Sequence, residues 1–126
     1  MKDSNDGFFT GRIKSVRYAF RGIWILVTTE DSIKVQVIVA LIATIFGFYF
    51  EISIIEWMLQ VIVIGLVLMA EAANTSIEKI ANFIHPEFNK NIEVVKDVAA
   101  GISGFAAIIS LIIAGIIYIP KIIALF

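Results

Sequence analysis

Residues 98–119 form a run of 22 residues without a charge, preceded by Lys96-Asp97 and followed by Pro120-Lys121. About 20 such residues in a helix cross the hydrocarbon layer of a bilayer, so this stretch reads as a membrane span. With 60% hydrophobic residues and a mean hydropathy of +0.94, the remainder of the chain cannot supply a polar shell to hide it. The expected fold class is an all-α membrane protein, with residues 1–126 as a single domain. A net charge of −1 argues against nucleic acid as a partner, and the absence of cysteine removes disulfides and thiolate metal sites. No secretory signal peptide, Walker loop, GxGxxG element or zinc-ligand spacing is expected from the sequence.

In chain order, residues 1–7 read as a short disordered tail. Phe9, Ile13, Val16, Phe20, Ile23 and Val27 then recur at spacings of three and four, which places them on one face of a helix over residues 8–28. Arg12, Lys14, Arg17 and Arg21 occupy much of the rest of that helix, which therefore reads as lying in the membrane interface with Trp24 at headgroup depth. Such a helix can be an anchor and nothing more, or it can contribute to a site. Membrane helices are expected over residues 33–50, 54–84 and 97–119. Phe48, Tyr49, Phe50 and Trp57 form an aromatic belt at the turn between the first two. The 31 residues from 54 to 84 amount to about 46 Å of helix, more than a bilayer needs, so the second helix should protrude into water until His85-Pro86 ends it. A polar loop is expected from Pro86 to about Val95, and Pro120 should close the last helix. Pairs such as Ala100–Gly104 and Ser103–Ala107 permit close helix approach. Nine of the ten basic residues lie before or after the first hairpin and none in the turn around Glu51, so the amphipathic helix and the Pro86 loop should face the cytoplasm.

The second helix carries charge where lipid ends. Glu71, Asn74 and Glu78 fall within about 60° of one another on one helical stripe. Counting from Trp57 as the outer interface, Glu71 lies inside the hydrocarbon boundary and Glu78 at its edge. A carboxylate at that depth must face protein or a polar cavity. Phosphoryl transfer to a lipid hydroxyl needs a base at membrane depth, carboxylates for a cation at the wet edge and positive charge for phosphates. Glu71 fits the base, Glu78 a metal ligand with Glu30 as partner, and Lys96 the phosphate contact; Mg²⁺ commonly takes one or two carboxylates plus phosphate oxygens. Other readings stand beside these. Glu71 can be a structural carboxylate paired with Lys96, Asn74 can be interhelical glue, Asp97 can N-cap the third span, and His85 reads as a loop histidine. A small proton-coupled carrier using Glu71 is the alternative from another class, and a noncatalytic assembly subunit is a third; the clustering of acids near one face favours the kinase.

The strings Glu71-x-x-Asn74-Thr75-x-Ile77-Glu78 and Lys96-Asp97-x-Ala99-Ala100-Gly101, after a basic helix with Lys14, Tyr18 and Gly22, resemble the small bacterial diacylglycerol kinase and undecaprenol kinase family over about residues 9–119. That resemblance implies a homotrimeric lipid kinase of the bacterial inner membrane that uses MgATP on the cytoplasmic side. It implies Glu71 as proton acceptor with Asn74 positioning it, and Glu30 and Glu78 as ligands of Mg²⁺. Tyr18, Glu30, Glu78, Glu87, Asn89, Lys96 and Asp97 would surround ATP, while Lys14 and Glu71 would meet the lipid alcohol, diacylglycerol or undecaprenol. The site would be shared between neighbouring chains. Two positions depart from the family pattern: Asn82 stands where an aspartate is common, and Gln36 where an acid or histidine is frequent.

Overall fold

In the computed structural model, which describes residues 4–126, four helices follow one another: α1 (Phe8–Thr29), α2 (Asp31–Tyr49), α3 (Ile54–Ile84) and α4 (Lys90–Ala124). The described residues form no strand, and α2, α3 and α4 are each long and apolar enough to cross a membrane. The expected disordered tail lies partly outside the described residues. In its described part, the Asp6 carboxylate accepts two hydrogen bonds from the Lys14 ammonium, at 2.9 and 3.0 Å, so this segment is held against α1 by opposite charge.

Phe9, Phe20 and Trp24 on α1 are 79%, 67% and 70% exposed, so the apolar face of this helix is left to its surroundings. Glu30 alone separates α1 from α2: it is extended at φ −101° and ψ 116°, and its N–H still bonds the Leu26 carbonyl at 3.1 Å. The first span accordingly begins at Asp31 instead of residue 33. Asp31 lies ahead of the apolar run that defined the expected span, but a carboxylate in a first helical turn is favoured by the helix dipole.

The turn from α2 to α3 is built from both sides. The Glu51 N–H bonds the Phe48 carbonyl at 3.3 Å and the Ile52 N–H bonds the Gly47 carbonyl at 3.2 Å, the pair of bonds that defines a Schellman cap. Glu51 occupies the left-handed position of that cap, at φ 51°. Ser53 then starts α3 with a capping box: its hydroxyl accepts the Glu56 N–H at 3.1 Å, and Glu56 accepts the Ser53 N–H at 2.9 Å. The outer part of the Trp57 ring lies against Gly47, where the missing side chain leaves it room.

The last helix departs from expectation at both ends. It starts at Lys90, capped by Asn89, whose side-chain oxygen accepts the Asn91 N–H at 2.9 Å; Asp97 is therefore well inside α4 and caps nothing. Charge in residues 90–96 excludes them from lipid but not from a helix in water, so the connecting loop shrinks to residues 85–89. Pro120 does not end the helix either. It removes one backbone donor, and the next residue secures the turn: Lys121 donates to the Ile117 carbonyl at 3.1 Å and to the Glu56 carboxylate at 2.7 Å.

Helices α3 and α4 pack along most of their length, while α2 leans on α3. The contacts Glu56–Lys121, Gln60–Tyr118 and Asn82–Lys96 fix the antiparallel register between α3 and α4. The buried seam residues Ala70 and Ala81 of α3 and Ala99 and Ala106 of α4 are small, which brings the two backbones close. In the half of the bundle near the α2–α3 turn, the Tyr118 hydroxyl donates to the Gln60 side-chain oxygen, and Gln60 donates to the Ala43 carbonyl of α2 at 3.1 Å. One polar chain thus joins three helices where water is excluded.

Candidate active site

Glu71, Asn74 and Glu78 lie on one face of α3, with Glu71 and Asn74 half-buried and Glu78 exposed. That gradient follows from the helix itself: α3 is longer than a bilayer is thick, and the three residues occupy its last turns before His85. The Asn74 side-chain oxygen is sealed from solvent and has no hydrogen-bond partner, so an acceptor stands open between the two carboxylates.

Glu30 approaches α3 from the α1–α2 break, beside this stripe. Its carboxylate, 25% exposed, receives the Lys79 ammonium at 3.2 Å, which holds it against the turn of α3 that carries Glu78. Among the described residues no group of three or more histidines or acids gathers as a metal site. Two carboxylates from adjoining elements are nonetheless a fitting set for Mg²⁺, a hard cation that takes its other ligands from phosphate and water. A cation already rests on one of them, in the form of the Lys79 ammonium.

Lys96 is directed at α3, but not at Glu71. Its ammonium donates to the Asn82 side-chain oxygen at 2.6 Å, so the structural Glu71–Lys96 pair entertained from the sequence is absent. Asn82 is uncharged and so places no counter-charge beside the Lys96 ammonium, as an aspartate at that position would. Beside it the His85–Asn89 loop forms a hollow lined by Pro86, Glu87, Phe88, Asn89 and Lys96. His85 binds the Glu87 carbonyl through Nδ1 at 2.9 Å, which pins the loop and makes His85 a loop residue. The side-chain oxygen of Asn89 is committed to the α4 cap, a bond that does not use its amide nitrogen. Asp97 is exposed on α4 next to Lys96.

Tyr18 and Lys14 sit one turn apart on α1, whose main contact within the chain is with α2. Lys14 is joined to Asp6 and not to the α3 stripe. The chain thus assembles Glu30 with the Glu78 turn, and Lys96 with the 85–89 loop, around the end of α3. An apolar cleft between α2, α3 and α4, lined by Gln36, Ala40, Gln60, Val67 and Ser110, approaches the same site: Val67 is one turn before Glu71 on the same face.

The pairings Lys79–Glu30, Asn82–Lys96, Gln60–Tyr118 and Glu56–Lys121 were not foreseen from the sequence. For Lys79 the signal was its place beside Glu78; for the others none was available, because each depends on the register between helices.

The family model for prokaryotic diacylglycerol kinase matches residues 17–118. An undecaprenol kinase from Bacillus subtilis (strain 168) is 38% identical over 108 residues, which cover 86% of this chain and 88% of that protein. The matched span takes in Glu71, Asn74, Glu78, Lys96 and Asp97, all of the α3–α4 arrangement just described, and the chain belongs to the prokaryotic diacylglycerol kinase family as a multi-pass membrane lipid kinase.

Proposed function

We propose that the chain transfers the γ-phosphoryl group of ATP to the primary hydroxyl of a membrane lipid alcohol, with Mg²⁺, on the cytoplasmic face of the bacterial inner membrane. The observation that carries this reading is the α3 stripe, where a half-buried carboxylate, an open amide oxygen and an exposed carboxylate follow one another out of the lipid layer. Glu71 accepts the hydroxyl proton, the alkoxide oxygen attacks the γ-phosphorus, and ADP leaves. Bound between Glu30 and Glu78, Mg²⁺ would neutralise charge on the phosphates. Lys96 holds a phosphate, and Tyr18, Glu87, Asn89 and Asp97 surround the rest of the nucleotide. Lys14 lies at headgroup depth with the lipid.

Undecaprenol is the favoured alcohol and diacylglycerol, giving phosphatidic acid, the second. The first rests on the name of the Bacillus subtilis relative, and the apolar cleft that runs toward Glu71 suits either tail. A homotrimer whose sites are shared between neighbouring chains fits the placement of Lys14 and Tyr18 on a helix that packs mainly on α2.

The test is transfer of labelled phosphate from ATP to undecaprenol and to diacylglycerol, side by side, in mixed micelles with Mg²⁺. Glu71→Gln is expected to reduce kcat at least about a hundredfold, the lower end for loss of a general base, with the protein still folded. Undiminished transfer by that variant removes Glu71 as the base. Proton flux without lipid phosphorylation replaces the kinase reading by the carrier.

A further inference from the structure

Among the described residues, two side-chain oxygens are sealed from solvent without a hydrogen-bond partner: Oδ1 of Asn74 and Oγ of Ser103. They belong to different helices. The pairs Glu56–Lys121, Gln60–Tyr118 and Asn82–Lys96 set the register in which each step forward along α3 is a step back along α4, and that register brings Asn74 level with Ser103. Both residues also fall on the inward stripes. On α3, Asn74 follows Ala70 at helical spacing and precedes Ala81, and on α4 Ser103 lies between Ala99 and Ala106; these four alanines are buried.

Several other helical hydroxyls are satisfied locally. Ser15, Thr44 and Ser76 donate to the carbonyl four residues earlier, at 2.8 Å each, and Ser110 to the Ala107 carbonyl at 2.9 Å. Ser103 makes no such bond, so its proton remains available across the seam. Asn74 offers the complement, a carbonyl oxygen in need of a donor where water is excluded.

We propose that Ser103 is a positioning residue for the lipid kinase site: by rotating about χ1 its hydroxyl donates to Oδ1 of Asn74 and thereby fixes the amide with its N–H₂ directed at Glu71. Helical side chains lean toward the helix N-terminus, so Asn74 leans over the turn that carries Glu71. With Oδ1 held from α4, the amide can present only donors to the Glu71 carboxylate. One carboxylate oxygen is then occupied and the other faces the lipid hydroxyl. The role rests on the kinase reading given above, whereas the contact does not.

The two are separated by the test. In full-length protein in detergent micelles, the ¹H–¹⁵N side-chain amide signals of Asn74, assigned by their loss in Asn74→Ala, are expected to shift in Ser103→Ala and to stay in place in Ser110→Ala. Unmoved signals in Ser103→Ala overturn the proposal whatever the activity. In the lipid kinase assay Ser103→Ala is expected to lower kcat about three- to tenfold, the size of one hydrogen bond, with KM for ATP and lipid unchanged. Ser103→Thr, which keeps the hydroxyl, should restore the rate, and Ser103→Ala should add no loss in an Asn74→Ala background. Losses that multiply in the double variant overturn the positioning role. If no variant, nor the parent, phosphorylates either lipid, the kinase reading and the positioning role fall together, while the amide signals still decide the contact.

Discussion

A methyl group on Gly47 would stand 2.5 Å from the Trp57 ring, closer than any carbon contact tolerates. On another side the ring meets Phe48, 4.9 Å away between centroids, so a retreat would disturb that contact as well. Gly47→Ala is therefore expected to destabilise the protein by about 1–3 kcal/mol, the usual cost of overpacking, as read from thermal unfolding in detergent. An unchanged midpoint would mean that the α2–α3 contact yields more easily than its geometry implies. The same scale shows what a sequence discloses about a site. Glu71, Asn74 and Glu78 were legible because one helix and its 3.6-residue period place all three. The partner of Lys96 was not, since Asn82 meets it only through the pairing of two helices. Ser103 was visible in the sequence as half of a small-residue pair, and nothing there announced an unbonded hydroxyl.

At the scale of elements, ends were harder to foresee than interiors. The spans were evident from hydropathy, but Asp97 and Pro120 were read as boundaries because one is charged and the other lacks a donor. Each penalty was met locally: α4 extends to Asn89 through water-facing residues, and Lys121 ties the turn at Pro120 to Ile117 and Glu56. The turn between α2 and α3 contains a cost of the opposite kind, a β-carbon-bearing residue in the left-handed region at Glu51. Left-handed backbone disfavours residues other than glycine by roughly 1 kcal/mol or slightly more. Glu51→Gly should accordingly raise the thermal midpoint and leave lipid phosphorylation unchanged. A lowered midpoint would show that the Glu51 side chain contributes more than its backbone costs.

For the molecule as a whole, the interior is thin. Among the described residues no large side chain is fully buried, and the sealed positions along the α3–α4 seam are mostly alanines. A soluble chain could not persist in this form; in a membrane, lipid tails supply remaining contacts, and polar links such as Gln60–Tyr118 decide which helices associate. This explains why composition disclosed the solvent so readily and the arrangement so little. Hydropathy records the fit of each helix to lipid, and the interhelical order depends on a few polar groups scattered among many apolar ones.

The break at Glu30 has a mechanical meaning. A single extended residue joins a helix suited to the bilayer surface to one that crosses it, and the carboxylate at that joint is the one proposed to hold the metal. Any change in the tilt of α2 must be taken up there, because the chain has no slack on either side. A mismatch between helix length and bilayer thickness is met in part by a change of tilt, so thickness should reach the proposed metal site through this joint. Turnover in vesicles of graded acyl-chain length is expected to pass through an optimum, and Lys79→Met, which releases Glu30 from α3, should sharpen that dependence. Equal rates across the series would show that the joint is stiff. In this sense α1 is a lever that pivots on the carboxylate we propose as a metal ligand, and turnover is expected to follow the thickness of the membrane around it.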